Sequence, residues 1–330
     1  MKTISLRRSP TSSGGVPEKK FHPTTSLRLG ARSAPRIFGC WLLLLCIGSG
    51  FCAEIEKGVA LEAGLARRDI TPHPPIWLAG YAARNRAADQ VDHRLMANAL
   101  ALKDATGSKF VFVGLDNCEV SHQFGGTVVR EAEAKHGLPR GAIMIVSSHT
   151  HSAPVLENTL EIMAPASEVE RERIRQYSQF LRTQLLDVVR GALADLQPAR
   201  LEFGNGRARF AINRRVYQED KINFGENPDG PVDWDVPVLK VRGTNDAVRG
   251  VIFGYACHGT SISGNDFYKI SGDYMAYARE HIESHFPGAT AVFLTGMGGD
   301  SNPSPRGTLL DAKRHGLELA GAVVGVLSRP

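Results

Sequence analysis

From Leu61 onward, short apolar runs alternate with amphipathic stretches, and this alternation constrains the fold more than any single motif. LEAGLARRDITP (61–72) starts as a strand and ends in a Pro-rich loop, HPPIWLAGY (73–81). LMANALALKD (95–104) and KFVFVGLD (109–116) flank an ATGS turn and read as a hairpin. AIMIVSS (142–148), ARLEFGNGRA (199–208), DVPVLKVRG (235–243), VRGVIFGYACHG (248–259) and ATAVFLTG (289–296) have strand length and apolar, β-branched content. Between them, residues 121–136 read as a helix stopped by Gly137, with Pro139 beyond. Residues 167–196 form a long amphipathic helix, with Ile174, Tyr177, Leu181, Leu185, Val188, Val189 and Leu193 recurring at spacings of three and four. A helix follows SGD (271–273) to about Phe286, and a last one runs from a Gly-rich loop to the C-terminus. The reading is α/β with mixed strand order, one domain over residues 54–330.

Residues 1–53 read as a separate leader. They carry Lys2, Arg7, Arg8, Lys19, Lys20, Arg28, Arg32 and Arg36 against the one acid Glu18, so the net charge of +5 belongs to this segment and the remainder is slightly acidic. A nucleic-acid partner is therefore not expected. The basic stretch precedes FGCWLLLLCIGSGFCA (38–53), whose apolar core is too short for an ordinary membrane span. The pattern is that of a secretory signal cleaved near Cys52–Ala53, which makes the protein exported, periplasmic or extracellular. An uncleaved anchor is the alternative. Of the five cysteines, only Cys118 and Cys257 lie beyond the leader, so no disulfide framework is implied and two buried thiols are expected.

The chemistry collects where strands end. In SSHTHSAP (147–154), His149 and His151 follow an apolar strand. In extended chain, residues i and i+2 point the same way, roughly 7 Å apart. Both imidazoles can then share one ion, or one can ligate while the other meets substrate. A polar turn is the competing reading. His258 ends a second apolar strand, and neutral imidazole is the commonest metal ligand. In FLTGMGGDSNPSP (293–305), the N–H groups of Gly296, Gly298 and Gly299 can form an anion nest, and Asp300 can be a ligand, a base or a turn former. Helical spacing places His281, His285 and His315 on the surface.

Taken in order, DIT (69–71), GY (80–81), DHRLMANALAL (92–102), SSHTHSAP (147–154), INRR (212–215), CHGTS (257–261), SGD (271–273) and GGDSNPSP (298–305) resemble the neutral, non-lysosomal ceramidases over most of residues 60–306. The resemblance implies a zinc (Zn2+) amidohydrolase with the mixed-sheet α/β catalytic domain of that family, here its N-terminal portion. It implies His149 and His258 as zinc ligands, His151 beside the scissile amide and Arg214 lining the site. The substrate would be a small-molecule amide or lipid, such as an N-acylsphingosine, with contact to a membrane surface. Trp77 and Tyr81 would give an apolar rim, unless Trp77 packs in the core.

Two departures stand out. The family carries G-D-x-S-P, whereas Gly299-Asp300-Ser301-Asn302-Pro303 puts Asn302 at the serine position. The family also completes its zinc sphere with a glutamate and a tyrosine from a later part of the chain, which implies that this sequence is C-terminally short. Asp116, Asp273 or Asp300 could substitute, although Asp273 also suits a helix N-cap. The competing readings are a catalytically impaired family member or binding module, and a different metal hydrolase with a His-x-His site. Against a metallo-β-lactamase-like site, Ala153-Pro154 stands where Asp-His would be needed.

Overall fold

The computed structural model describes residues 61–329. The leader and its boundary with the rest of the chain lie outside them. In chain order the elements are β1 (Leu61–Asp69), β2 (Gln90–Val91), β3 (Met96–Lys103), β4 (Lys109–Leu115), α1 (His122–His136), β5 (Ile143–Ser147) and α2 (Glu168–Ala194). Then follow β6 (Gln197–Arg207), β7 (Ala211–Gln218), β8 (Lys221–Asn227), β9 (Asp235–Gly243) and β10 (Val248–Tyr255). The last are β11 (Lys269–Ile270), α3 (Asp273–His285), β12 (Thr290–Thr295), β13 (Ser301–Pro303) and α4 (Leu309–Leu327).

Local chemistry sets the helix ends. The Ser121 hydroxyl accepts from Phe124 N at the start of α1, and Gly137 closes that helix at φ 61°, where a side chain would be strained. A reciprocal Ser167–Glu170 capping box starts α2. The predicted stripe of α2 is the buried one, from Ile174 to Val189. It packs with α1 on Ala97, Ala99, Ala101, Val111 and Val113 of β3 and β4. Helices α3 and α4 bury Tyr274, Ala278, Ile282, Leu319 and Val323 against Val251, Phe253 and Phe293 of β10 and β12.

Eight strands form one mixed sheet in the order β12-β10-β9-β6-β1-β3-β4-β5. The pairs β4–β5 and β10–β12 are parallel, and β1–β3, β3–β4 and β6–β9 are antiparallel. The face turned away from the helices carries a third core layer, with Leu65, Leu100, Phe112, Leu239, Ile252 and Val292 packed together. These residues come from both halves of the sheet, so it coils back upon itself. The Asn98 amide of β3 donates to the Ala291 carbonyl of β12 at 2.7 Å, across the inside of the curl. The layers run helix, sheet, sheet, helix.

Other features depart from the sequence expectation. The β7–β8 hairpin and β13 form a separate three-stranded sheet outside the sequence expectation, because the alternation of Ile222 and Phe224 in β8 is short and both side chains are exposed. His315 is buried, not on the surface, because its Nε2 meets the Pro305 carbonyl at 2.6 Å and its ring stacks on Phe210. Trp77 packs in the core with Cys118, Val155 and Ile174, so it forms no rim. Cys118 and Cys257 are both buried free thiols. Among the described residues, no helix is long and apolar enough to cross a membrane.

Candidate functional site

The ends of β4, β5, β10 and β12 deliver one cluster. His149 follows β5 with φ 62°, a left-handed conformation in place of the extended one expected, and this turn brings His149 and His151 together. Their ring centroids are 4.8 Å apart, and their Nε2 atoms 3.3 Å. His258, three residues past β10, has its ring centroid 4.7 Å from that of His149 and 5.7 Å from that of His151. A parallel bridge between Thr150 and Gly259 joins the two segments, and His151 N donates to the Gly259 carbonyl at 2.9 Å. Glycine is required there, since a Cβ at position 259 would lie 2.7 Å from the His149 carbonyl oxygen.

Two of the imidazoles are oriented alike. His149 Nδ1 donates to the Cys118 carbonyl and His258 Nδ1 to the Gly298 carbonyl, both at 2.8 Å. A carbonyl only accepts, so Nδ1 carries the proton and Nε2 is left with its lone pair. That is the arrangement in which a protein holds metal-ligating histidines. His151 Nδ1 is buried without a partner. Burial, then His149, His258, Arg84 and Arg214, depress the His151 imidazole to about 2. Burial is also the leading cause that lowers His258, to about 4. Both rings are therefore neutral at physiological pH, as metal ligation requires.

The other candidates sort by what they touch. Arg214 Nη1 donates to Asn302 Oδ1 at 3.2 Å and Nη2 to the Gly299 carbonyl at 2.9 Å. The Thr260 hydroxyl reaches the same Asn302 oxygen at 3.2 Å. Asp300 stands apart, its carboxylate accepting from Ser301 Oγ and facing Asn213 Nδ2. Asp116 pairs with Arg279 and accepts from Met96 N, while Asp273 accepts from Ser261 N and Tyr274 N. None of the three carboxylates bonds to an imidazole. Asp273 is the first residue of α3, and Gly272 holds the cap position. The Gly-rich loop acts differently from a nest. Gly296 and Gly298 spend their N–H groups on Tyr255 and Gly296 carbonyls, and the loop presents the carbonyls of Gly298 and Gly299 instead.

Cys118 Sγ, His149 and His151 also have ligand atoms within 4.8 Å of one another. The thiol is the weaker donor on two counts. It sits 3.9 Å from His149 Nδ1, the nitrogen already committed to a carbonyl, and burial pushes it up to about 12.

Arg84 carries no sequence motif, yet it braces the cluster. Its guanidinium donates to the carbonyls of Ala79 (2.7 Å), His151 (2.7 Å) and Phe267 (3.1 Å), with the Tyr81 and Phe267 rings near it at 5.0 and 4.6 Å. Tyr81 in turn packs edge-on to the His151 ring at 4.8 Å. A cleft of about 460 Å³ lies elsewhere, between the Pro-rich loop and α2, and contains none of these groups.

The neutral/alkaline non-lysosomal ceramidase N-terminal family model matches residues 61–309. Neutral ceramidase 1 of Arabidopsis thaliana is 26% identical over 258 residues, covering 76% of this chain and 32% of that protein. Neutral ceramidase of Pseudomonas aeruginosa is 25% identical over 255 residues, covering 73% of this chain and 37% of that protein. The chain thus spans about a third of the length of these curated relatives. Two solved structures share the fold: a ceramidase complexed with C2 (TM-score 0.67) and the Pseudomonas aeruginosa neutral ceramidase (TM-score 0.66). Each is 22% identical and covers 82% of this chain, which accounts for 45% and 46% of those chains. With its motifs in family order and the family model spanning nearly all of the described residues, the chain belongs to the neutral/alkaline non-lysosomal ceramidases.

Proposed function

We propose that this chain is an exported, zinc-dependent hydrolase of an acyl-amide bond, with the leader over residues 1–53 directing export. The observation that carries the zinc reading is the matched pair of imidazoles, His149 and His258, each with Nδ1 fixed on a carbonyl so that Nε2 keeps its lone pair. These two residues would hold the ion, and His151 would stand beside the amide. Bound zinc would polarise the amide carbonyl and lower the pKa of a coordinated water. His151, its backbone carbonyl held by Arg84 and its ring edge-on to Tyr81, would hydrogen-bond the attacking water and orient it toward the amide. Asn302 does not take the serine role. Arginine has only donors, so the amide oxygen must face Arg214, and Nδ2 remains a donor with no protein partner among the described residues. It can orient the substrate carbonyl. The relatives' name points to ceramide-like acyl amides as a starting substrate class.

One observation favours a second reading, in which the chain binds metal or lipid without turnover. The groups that act on the imidazole of His151 are two histidines and two arginines, with no carboxylate among them. Catalytic zinc usually has three protein ligands.

Metal analysis of the purified chain tests both. One zinc per chain, lost in His149→Ala and in His258→Ala, together with cleavage of a fluorescent short-chain ceramide, supports the hydrolase. Stoichiometric zinc without cleavage supports the binding reading. Zinc content unchanged in both variants would overturn the assignment of these ligands.

A further inference from the structure

Beside the imidazoles, Arg214 and Arg215 of β7 and Arg306 after β13 gather at one place. The guanidinium carbons of Arg214 and Arg306 stand over the Phe224 ring at 5.2 and 5.6 Å. Arg214 and Arg215 donate to the same Gly299 carbonyl, at 2.9 and 3.4 Å. Several arginines are matched with acids, as in Arg279–Asp116, Arg249–Asp195 and Arg242–Glu202, while others such as Arg84 bond only to carbonyls. Among the described residues Arg214, Arg215 and Arg306 have no acidic partner, and what sets them apart is that they gather at one ring and one carbonyl. The carboxylates bordering them are otherwise engaged, Asp300 by Ser301 and Asn213, and Glu226 by Ser304 at 2.8 Å.

The crowding is unfavourable for the protein alone. Burial, then Arg215 and Arg306, push the Arg214 guanidinium below its ordinary range, against the opposing pull of Asp300 and Cys257. Arg214 N donates to the Asp300 carbonyl at 2.7 Å and His258 N to the carbonyl of the next residue, Ser301, at 3.0 Å, so the strand that carries Arg214 and Arg215 borders the imidazole cluster. Phe224, Ile222 and Tyr217 expose apolar surface on the same hairpin, at 59%, 62% and 69%. Unmatched arginine forks beside an exposed apolar patch suit an amphiphile whose anionic group completes the pairs.

We infer that the substrate of this site is an N-acyl amino acid, its carboxylate bound by Arg214, Arg215 and Arg306 and its acyl chain lying along Phe224. This rests on the hydrolase reading of the site, and it replaces an uncharged amide by an anionic one. Hydrolysis leaves a fatty acid and a free amino acid, with one water consumed.

The test compares N-octanoylglycine with the uncharged N-octanoylglycinamide, using the full chain supplied with zinc. The expected ratio of kcat/KM is about tenfold or more in favour of the carboxylate, from charge-assisted hydrogen bonds, and it falls as salt is raised. In the Arg215→Gln/Arg306→Gln variant the ratio drops towards one while zinc content is kept. Equal rates, or a ratio unmoved in that variant, would overturn the proposal. If neither amide is cleaved while the short-chain ceramide is, the proposal is overturned and the hydrolase reading stands; if the ceramide is not cleaved either, the hydrolase reading fails and equilibrium binding decides the rest. Tighter binding of N-octanoylglycine, lost in the double variant, supports anion recognition; equal binding of the two compounds overturns it.

Discussion

Two regions at neighbouring strand ends treat buried polar groups in opposite ways. Between the end of β4 and α3, polar side chains are paired with one another. Asp116 pairs with Arg279, His93 with Glu280 at 2.5 Å, and Tyr277 donates to Asp92 at 3.1 Å. One residue pair further along the chain, at Cys118 and His149, compensation stops. Three imidazoles face one another, and the ionic neighbours acting on His151 are arginines. The first region consumes its own charge and is structural. The second leaves lone pairs and positive potential unmatched, which is what a site for a cation and an anionic or carbonyl-bearing substrate requires. Burial alone does not separate the two; pairing does.

The contrast can be broken by mutation. The largest effect is expected in the paired region. Asp116→Ala leaves Arg279 buried and alone, and should cost about 3–5 kcal/mol in urea unfolding. A loss below about 1 kcal/mol, the value of an exposed pair, would mean that the region is not closed in the sense described. The next effect falls on the open region. Gly80 has φ +92°, and a Cβ there would lie 2.4 Å from His151 Cγ. Gly80→Ala should displace that ring and lower turnover on the order of a hundredfold, with zinc content unchanged. Loss of zinc in the same variant would make His151 a ligand and not a substrate neighbour. The smallest effect is expected for Cys118→Ser. Its carbonyl, not its thiol, orients His149, so zinc affinity should stay within a few-fold. A drop of about a hundredfold or more would place the sulfur in the metal's coordination shell.

Much of this was legible in the chain. The stripe on α2, its capping box and the Gly137 stop are local signals, and local physics decides them. The motif order marked His149, His151 and His258 before any fold was known. What escaped depends on distant partners. Arg84 earns its place from three carbonyls in three separate segments, and no spacing in GYAARNR announces that. His315 has the helical spacing of a surface residue, and only the packing of α4 on Phe210 buries it. The β7–β8 hairpin turns its apolar residues Tyr217, Ile222 and Phe224 to solvent, so its short alternation marks no core face, although it carries Arg214 and Arg215. Asp116 and Asp300 are open candidates on paper as ligands, and Asp273 suits a helix N-cap better. Their partners Arg279, Ser261 and Ser301 draw each carboxylate into structural work.

The curl of the sheet has a mechanical consequence. His149 follows the strand at one end of the hydrogen-bonded order, and His258 follows the second strand from the other end. The inner core layer, the Asn98 bond across the curl and the short bridge at Thr150 and Gly259 keep these two extremes within reach. An ion gripped by both would act as a clasp on a rolled sheet. Its binding free energy would then oppose unrolling, and the grip would be lost as soon as the two ends part.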